Sequence, residues 1–154
     1  MIIVWRRLTM EWFGGGVIGE VVVARFAHGD DLLESIAQLA READIHTGVV
    51  VSCIATVDKC RLHRITTTGY PPHDQFVERE GPIEIVSAQG VIANYQPHIH
   101  FVGADLLGTF AGHLEPGSRV LYLAEVCVLK LSGIALERTP NPQTGINELG
   151  RCGG

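Results

Sequence analysis

The stretch TGVVVSCIATV, residues 47–57, is followed after Asp58 by the more polar, alternating KCRLHRI. So continuous an apolar run, rich in β-branched residues, predicts a strand at the centre of a sheet, covered on both faces. The remaining segments have to be arranged around it. VIGEVVVARFA (17–27), QFVERE (75–80), IEIVSAQGVIA (83–93) and RVLYLAEVCVLKL (119–131) read as further strands, the second and third separated by Gly81-Pro82. TTTGYPPHD (66–74) has the composition of a loop.

One segment breaks this β-rich pattern. HGDD closes the first strand, and Leu32, Leu33, Ile36, Leu39, Ala40 and Ala43 then recur at helical spacing. Asp30 or Asp31 can accept hydrogen bonds from the free N–H groups of a first turn, and Glu34 suits the same positive end. The spacing predicts a helix over 31–43, packed on a sheet. One helix with about seven strands defines an α+β fold: a mostly antiparallel sheet packed on one or two helices. At 154 residues the chain makes one domain. We place it at 10–138. Residues 1–9 read as an N-terminal extension, with Met10 a more natural start than Met1, and 139–154 (TPNPQTGINELGRCGG) as a mobile tail.

Several function classes lose support at this point. The formal net charge of -5 gives no electrostatic footprint for nucleic acid. No apolar run approaches bilayer length and the N-terminus lacks a signal-peptide pattern, so a cytoplasmic location with no membrane partner is expected. Cys53, Cys60, Cys127 and Cys152 show no Cys-x-x-Cys spacing, and two lie in apolar runs as buried free thiols would. The chain has no P-loop, nucleophile elbow or Gly-x-Gly-x-x-Gly fingerprint.

The chemistry-bearing stretch is PHIHFVGADLLGTFAGHL, residues 97–114. Alternate strand residues share a face, so His98 and His100 project together, roughly 7 Å apart along the backbone. GADLLG suits a hairpin connection. With its centre between Leu106 and Leu107, His100 faces His113 and His98 becomes a diagonal neighbour. Three imidazoles aimed at one point suit Zn2+ or another divalent metal, at about 2.0–2.1 Å per nitrogen with a fourth position open. A slip of one residue would turn His113 away. Glu115 falls on the His113 face, opposite His98, as a fourth ligand, a base or, as the blander reading has it, a rim carboxylate. Glu125 alternates with apolar neighbours, as a strand residue paired with an arginine would. His28, His46, His63 and His73 read as solvated or locally hydrogen-bonded. Arg25, Arg61 and Arg64 would form a basic patch only if the fold gathered them.

Taken in order, GDDLLESIAQLARE, TGVVVSCIATV, GPIEIVSAQGVIA, PHIHFVGAD, AGHLEPGSRV and AEVCVLKL resemble the plants-and-prokaryotes-conserved (PPC) domain family from about Val21 to Leu136. The resemblance implies an antiparallel sheet around a helical element, assembled as a homotrimer. It also implies, in some members, a metal on histidines matching His98, His100 and His113. Plant members carry the domain behind DNA-binding AT-hook segments, whereas prokaryotic members usually consist of the domain alone. Three features depart from the pattern. The chain has no Arg-Gly-Arg-Pro core, Glu115 stands where the family more often has an apolar residue, and residues 1–9 match nothing in it.

Two functions follow as expectations. One is a stand-alone, metal-binding trimeric domain with a regulatory or DNA-associated role, DNA or a transcription factor being its partner; the acidic charge counts against direct DNA contact. The other is a zinc-dependent enzyme acting on a small molecule through water bound to a three-histidine metal, with Glu115 and Glu125 the candidate acid or base. Zinc with a purely structural role is a third possibility, favoured by a closed site of four protein ligands.

Overall fold

A computed structural model describes residues 10–153. The predicted extension, residues 1–9, lies outside the described residues. The chain runs β1 (Val17–Ala27), α1 (Leu32–Glu42), β2 (Thr47–Ile65), β3 (Asp74–Ala93), β4 (Gln96–Asp105), β5 (Gly108–Leu114), β6 (Arg119–Ser132), β7 (Leu136–Pro140) and β8 (Asn147–Arg151). The first six strands form one sheet in the order β1-β6-β2-β3-β4-β5, with every pairing antiparallel, and β7 and β8 form a separate two-stranded sheet. This is the α+β architecture the sequence predicts.

Helix α1 begins where its cap dictates. The Asp31 carboxylate accepts from the Glu34 N–H at 3.0 Å, an interaction worth about 1 kcal/mol, while Asp30 turns back to accept from Ala27 N–H. Leu32, Leu33, Ile36, Ala37 and Ala40 face inward. Leu32, Leu33, Ile36 and Ala40 meet Val50, Val57, Leu62, Ile85, Ile99, Phe101, Leu114, Val126 and Val128 in one core. Each large aliphatic side chain buried there contributes about 1.5–3 kcal/mol. Cys53 and Cys60 belong to that core as free thiols, and burial pushes them up to about 12 and about 11.

Three sequence expectations need correction. First, β2 is covered on one face only. The helix takes the inner face, and Val51 and Ile54 stay open on the outer one beside Val21, Val23, Val86 and Val102, each between 41% and 73% exposed. Second, QFVERE and IEIVSAQGVIA are one strand. Gly81-Pro82 does not end β3, because the register shifts between Val57 and Lys59 and leaves the pair opposite Asp58. Proline is tolerated at such a bulge, and Gly81 adopts φ 118°, a conformation open to glycine. Third, the segment expected as a mobile tail from Thr139 carries a hairpin, from Leu136↔Arg151 to Pro140↔Asn147. Thr47 anchors it, its hydroxyl accepting from Leu136 N–H at 3.0 Å.

The great length of β2 shapes the site. One edge pairs with β6 along Gly48–Lys59 and then with β5 at Leu62↔Leu114 and His63↔His113. The sheet therefore curls until β5, its last strand, returns to β2. Gly112 permits the closure: a Cβ there would lie 2.5 Å from Leu62 Cδ1 and 2.8 Å from the His63 carbonyl oxygen.

Candidate metal centre

The β4–β5 hairpin has the predicted register, with His100↔His113 and Asp105↔Gly108 as partners and the turn at Leu106-Leu107. His98, His100 and His113 consequently share the outer face. Their ring centroids are 5.2 Å (His98–His100), 4.6 Å (His98–His113) and 5.3 Å (His100–His113) apart. The two Nε2 atoms of His98 and His100 are 3.2 Å apart.

The sheet closure adds a fourth imidazole. His63, read from the sequence as an ordinary polar strand residue, stacks on His113 with centroids 4.4 Å apart and planes at 24°. Glu115 joins the two. Its Oε1 lies 2.6 Å from His63 Nδ1 and 3.2 Å from His113 Nδ1. Only the first contact has hydrogen-bond alignment, so His63 Nδ1 carries the proton and donates. His113 Nδ1 is enclosed and has no hydrogen-bond partner. Asp74 stands 3.9 Å beyond His63 Nε2. Glu115 does not continue the hairpin opposite His98; its N–H bonds the Arg61 carbonyl on β2. A β2–β5 contact across fifty residues leaves no local trace, so the only signal for His63 was its place on a strand with an outward, polar alternation.

The other candidates lie elsewhere. Glu125 stands opposite Arg25 in the β1–β6 register, in one row with Ile54 of β2. Arg61 lies over the Phe76 ring and Arg64 donates to the Ala111 carbonyl, both far along β2 from that row, so the three arginines do not gather.

The surroundings of His98 and His113 favour their neutral forms. Burial, with the neighbouring His113 and Arg138, pushes His98 down to about 4, although its outer edge meets solvent. Burial and then His63 push His113 down, against an opposing pull from Glu115. Neutral imidazole is the form that binds a metal. The linkage to stability has a definite sign. An unfolded histidine titrates near 6.5, so between that pH and about 4 the unfolded chain holds a proton that folded His98 refuses. Stability from this group is complete above about pH 6.5 and is lost toward pH 4. With chelator present, urea midpoints are therefore expected to fall from pH 7.5 to pH 5, and His98→Gln to flatten that fall. Parallel curves for the two proteins would refute the assignment.

The residues present fit a metal. Two nitrogens on one tetrahedral ion, each at 2.0–2.1 Å, stand roughly 3.3 Å apart, close to the His98–His100 separation. His63, His113 and Glu115 also bring ligand atoms within 4.8 Å of one another. The 2.6 Å contact between Glu115 and His63 is too short for two donors on one ion, however, and belongs to a hydrogen bond.

An antiparallel sheet with one helix and a cluster of histidines on its outer face defines an α+β domain. The profile of the Plants and Prokaryotes Conserved (PCC) domain matches residues 14–132, and the chain belongs to that family. A metal-containing protein from Archaeoglobus fulgidus is 28% identical, with a TM-score of 0.75, covering 90% of this chain and 98% of its own. A plant- and prokaryote-conserved protein from Pyrococcus horikoshii has the same TM-score at 22% identity, covering 90% of this chain and 97% of its own. A bifunctional GlmU protein of a Synechococcus strain is 29% identical over 126 residues; that match covers 81% of this chain and 19% of the GlmU protein. Among the described residues no helix is long and apolar enough to cross a membrane.

Proposed function

We propose that this chain is a metal-binding domain that assembles as a homotrimer and holds one divalent ion per subunit, zinc in the first instance, on His98, His100 and His113. The observation that carries the reading is the 3.2 Å approach of the His98 and His100 Nε2 atoms, with the His113 ring centroid 4.6 and 5.3 Å from theirs and its Nδ1 enclosed and unpartnered on the Glu115 side. An enclosed polar atom left unpaired costs roughly 1–3 kcal/mol. With an ion on one nitrogen of His113, the other is free to donate to Glu115, the carboxylate arrangement that orients ligand histidines. Glu115 and His63 therefore act as positioning residues. The ion itself would supply Lewis acidity at an outward-facing site. The metal-containing Archaeoglobus relative supports the metal.

The outer sheet face supports assembly. Val21, Val23, Val51, Ile54, Val86 and Val102 share it with the histidines, and a second copy is the natural cover for so much aliphatic surface. Direct DNA binding gains no such support. Lys59, Arg79, Arg119 and Lys130 each stand within 4.0 Å of a carboxylate. Native mass spectrometry of untagged protein should show a trimer carrying three ions, and Ile54→Glu should yield monomers that still fold. A metal-free wild-type trimer would remove the metal from this reading; a wild-type monomer would remove the assembly.

A further inference from the structure

Arg138, on β7, is left unused by metal binding. It is half-buried, and one of its guanidinium nitrogens donates a long hydrogen bond to the Val91 carbonyl at 3.4 Å. Among the described residues no carboxylate lies within ion-pair distance of it, unlike Arg79 and Arg119, which are paired with Asp105 and Asp58. Val91 is the cross-strand partner of His98, so the guanidinium sits at the His98 end of the cluster. Burial lowers the pKa of the guanidinium itself. The nearby carboxylates, Glu115 and Asp74, are at the opposite end, on His63.

A half-buried cation beside a dication needs an anion, and the described residues supply none there. On the other side of the cluster, a shallow groove of about 300 Å³ opens beside His100, lined by Ser87, Gln89, Val102 and Ala111 among others. The Val91–His98 and Gln89–His100 rows are two residues apart, roughly 7 Å, which a small molecule spans. We propose that the metal centre is a binding site for a small organic carboxylate. The Arg138 guanidinium takes the carboxylate, and the body of the ligand lies over the groove, where Ser87 and Gln89 meet its polar groups. A guanidinium fork fits carboxylate and phosphate alike. The apolar part of the groove, Val102 and Ala111, favours the hydrocarbon body of a carboxylic acid over a fully hydrated phosphate.

The inference rests on the metal reading above, so the test reads the two separately. The protein is loaded with Co2+, its cobalt content is measured, and its visible absorption is followed during titration with succinate, with uncharged succinamide and with inorganic phosphate. Succinate should change the spectrum saturably, succinamide should not, and phosphate should bind more weakly. Arg138→Gln should weaken succinate by about 10-fold or more at unchanged cobalt content. Arg138→Lys, which keeps the charge and loses the fork, should weaken it several-fold, and it decides the matter should the glutamine variant not fold. Full cobalt with no succinate response, or equal succinate affinity in wild type and both variants, overturns the carboxylate site and spares the metal. Phosphate binding as tightly as succinate overturns the choice of carboxylate. A protein that takes up no cobalt overturns the metal reading, and this inference with it.

Discussion

Replacing His113 with alanine is expected to strip the metal from the protein and leave the domain folded. A tetrahedral structural zinc site is worth about 10–16 kcal/mol across four ligands, so one lost histidine weakens binding by roughly 100-fold or more. His113 is the strand-crossing member of the set, and without it His98 and His100 hold an ion from a single strand. The domain tolerates the change because the ring lies on the outer face, away from the cluster around Ile36, Leu62 and Leu114. Its removal also abolishes the unpartnered Nδ1. In chelator, the melting temperature of His113→Ala should stay within about 4 °C of wild type, a difference near 1 kcal/mol for a chain of this size. With zinc at 100 times the wild-type Kd, wild type should gain about 2.7 kcal/mol and the variant little of it. His73→Ala, in the loop before β3, serves as control and should keep its metal. Full zinc content in His113→Ala would discard the three-histidine site.

Glu115→Gln separates positioning from ligation at the same site. The amide keeps an acceptor for His63 Nδ1 and loses the charge that opposes the lowering of His113. A positioning role predicts a 10–100-fold weaker metal affinity with the stoichiometry retained.

What the sequence reveals of this site follows the sequence distance of the contacts. His98, His100 and His113 lie within one hairpin, where a period of two and a two-residue turn fix the register, so their convergence is legible from spacing. His63 reaches them only because the sheet curls until β5 meets the far end of β2. That curl is a property of the whole sheet, and no window around His63 contains it. The same reasoning covers the errors in β3 and at the C-terminus. Gly81-Pro82 punctuates a sequence, yet opposite a bulge it needs no ladder hydrogen bond and the strand continues through it. β7 and β8 are short and polar, so they lack the apolar periodicity that reveals longer strands. They are held instead by the Thr47 hydroxyl and by the turn closed by Asn141 N–H on the Ile146 carbonyl. The outer face of β2 carries the opposite lesson. Its apolar run reads as covered on both faces, whereas Val51 and Ile54 are open on the outer face of the single chain.

Gly90 links strand packing to the proposed metal site, and Gly90→Ala is expected to damage both. A Cβ at this position would lie 2.0 Å from the His98 carbonyl oxygen and 2.7 Å from Ile99 Cδ1. The nearer of these is backbone, which cannot rotate out of the way, so β4 must move off β3 where it presents His98. Overpacking against side chains alone costs about 1–3 kcal/mol, and a backbone collision should reach or exceed the top of that range. At about 3 kcal/mol the melting temperature should drop by roughly 6–12 °C. Because Gly90 pairs with Ile99, between the two histidines of β4, the same displacement tilts His98 away from His100. Metal affinity should therefore fall well beyond what the loss of stability imposes. Circular dichroism melts in chelator read the first effect, and zinc titration at a temperature where the variant is fully folded reads the second. Gly69→Ala meets nothing within 4 Å and should change neither. If Gly90→Ala melts like wild type, β4 yields without cost; if it melts early and binds zinc normally, the register at Gly90 does not set the position of His98.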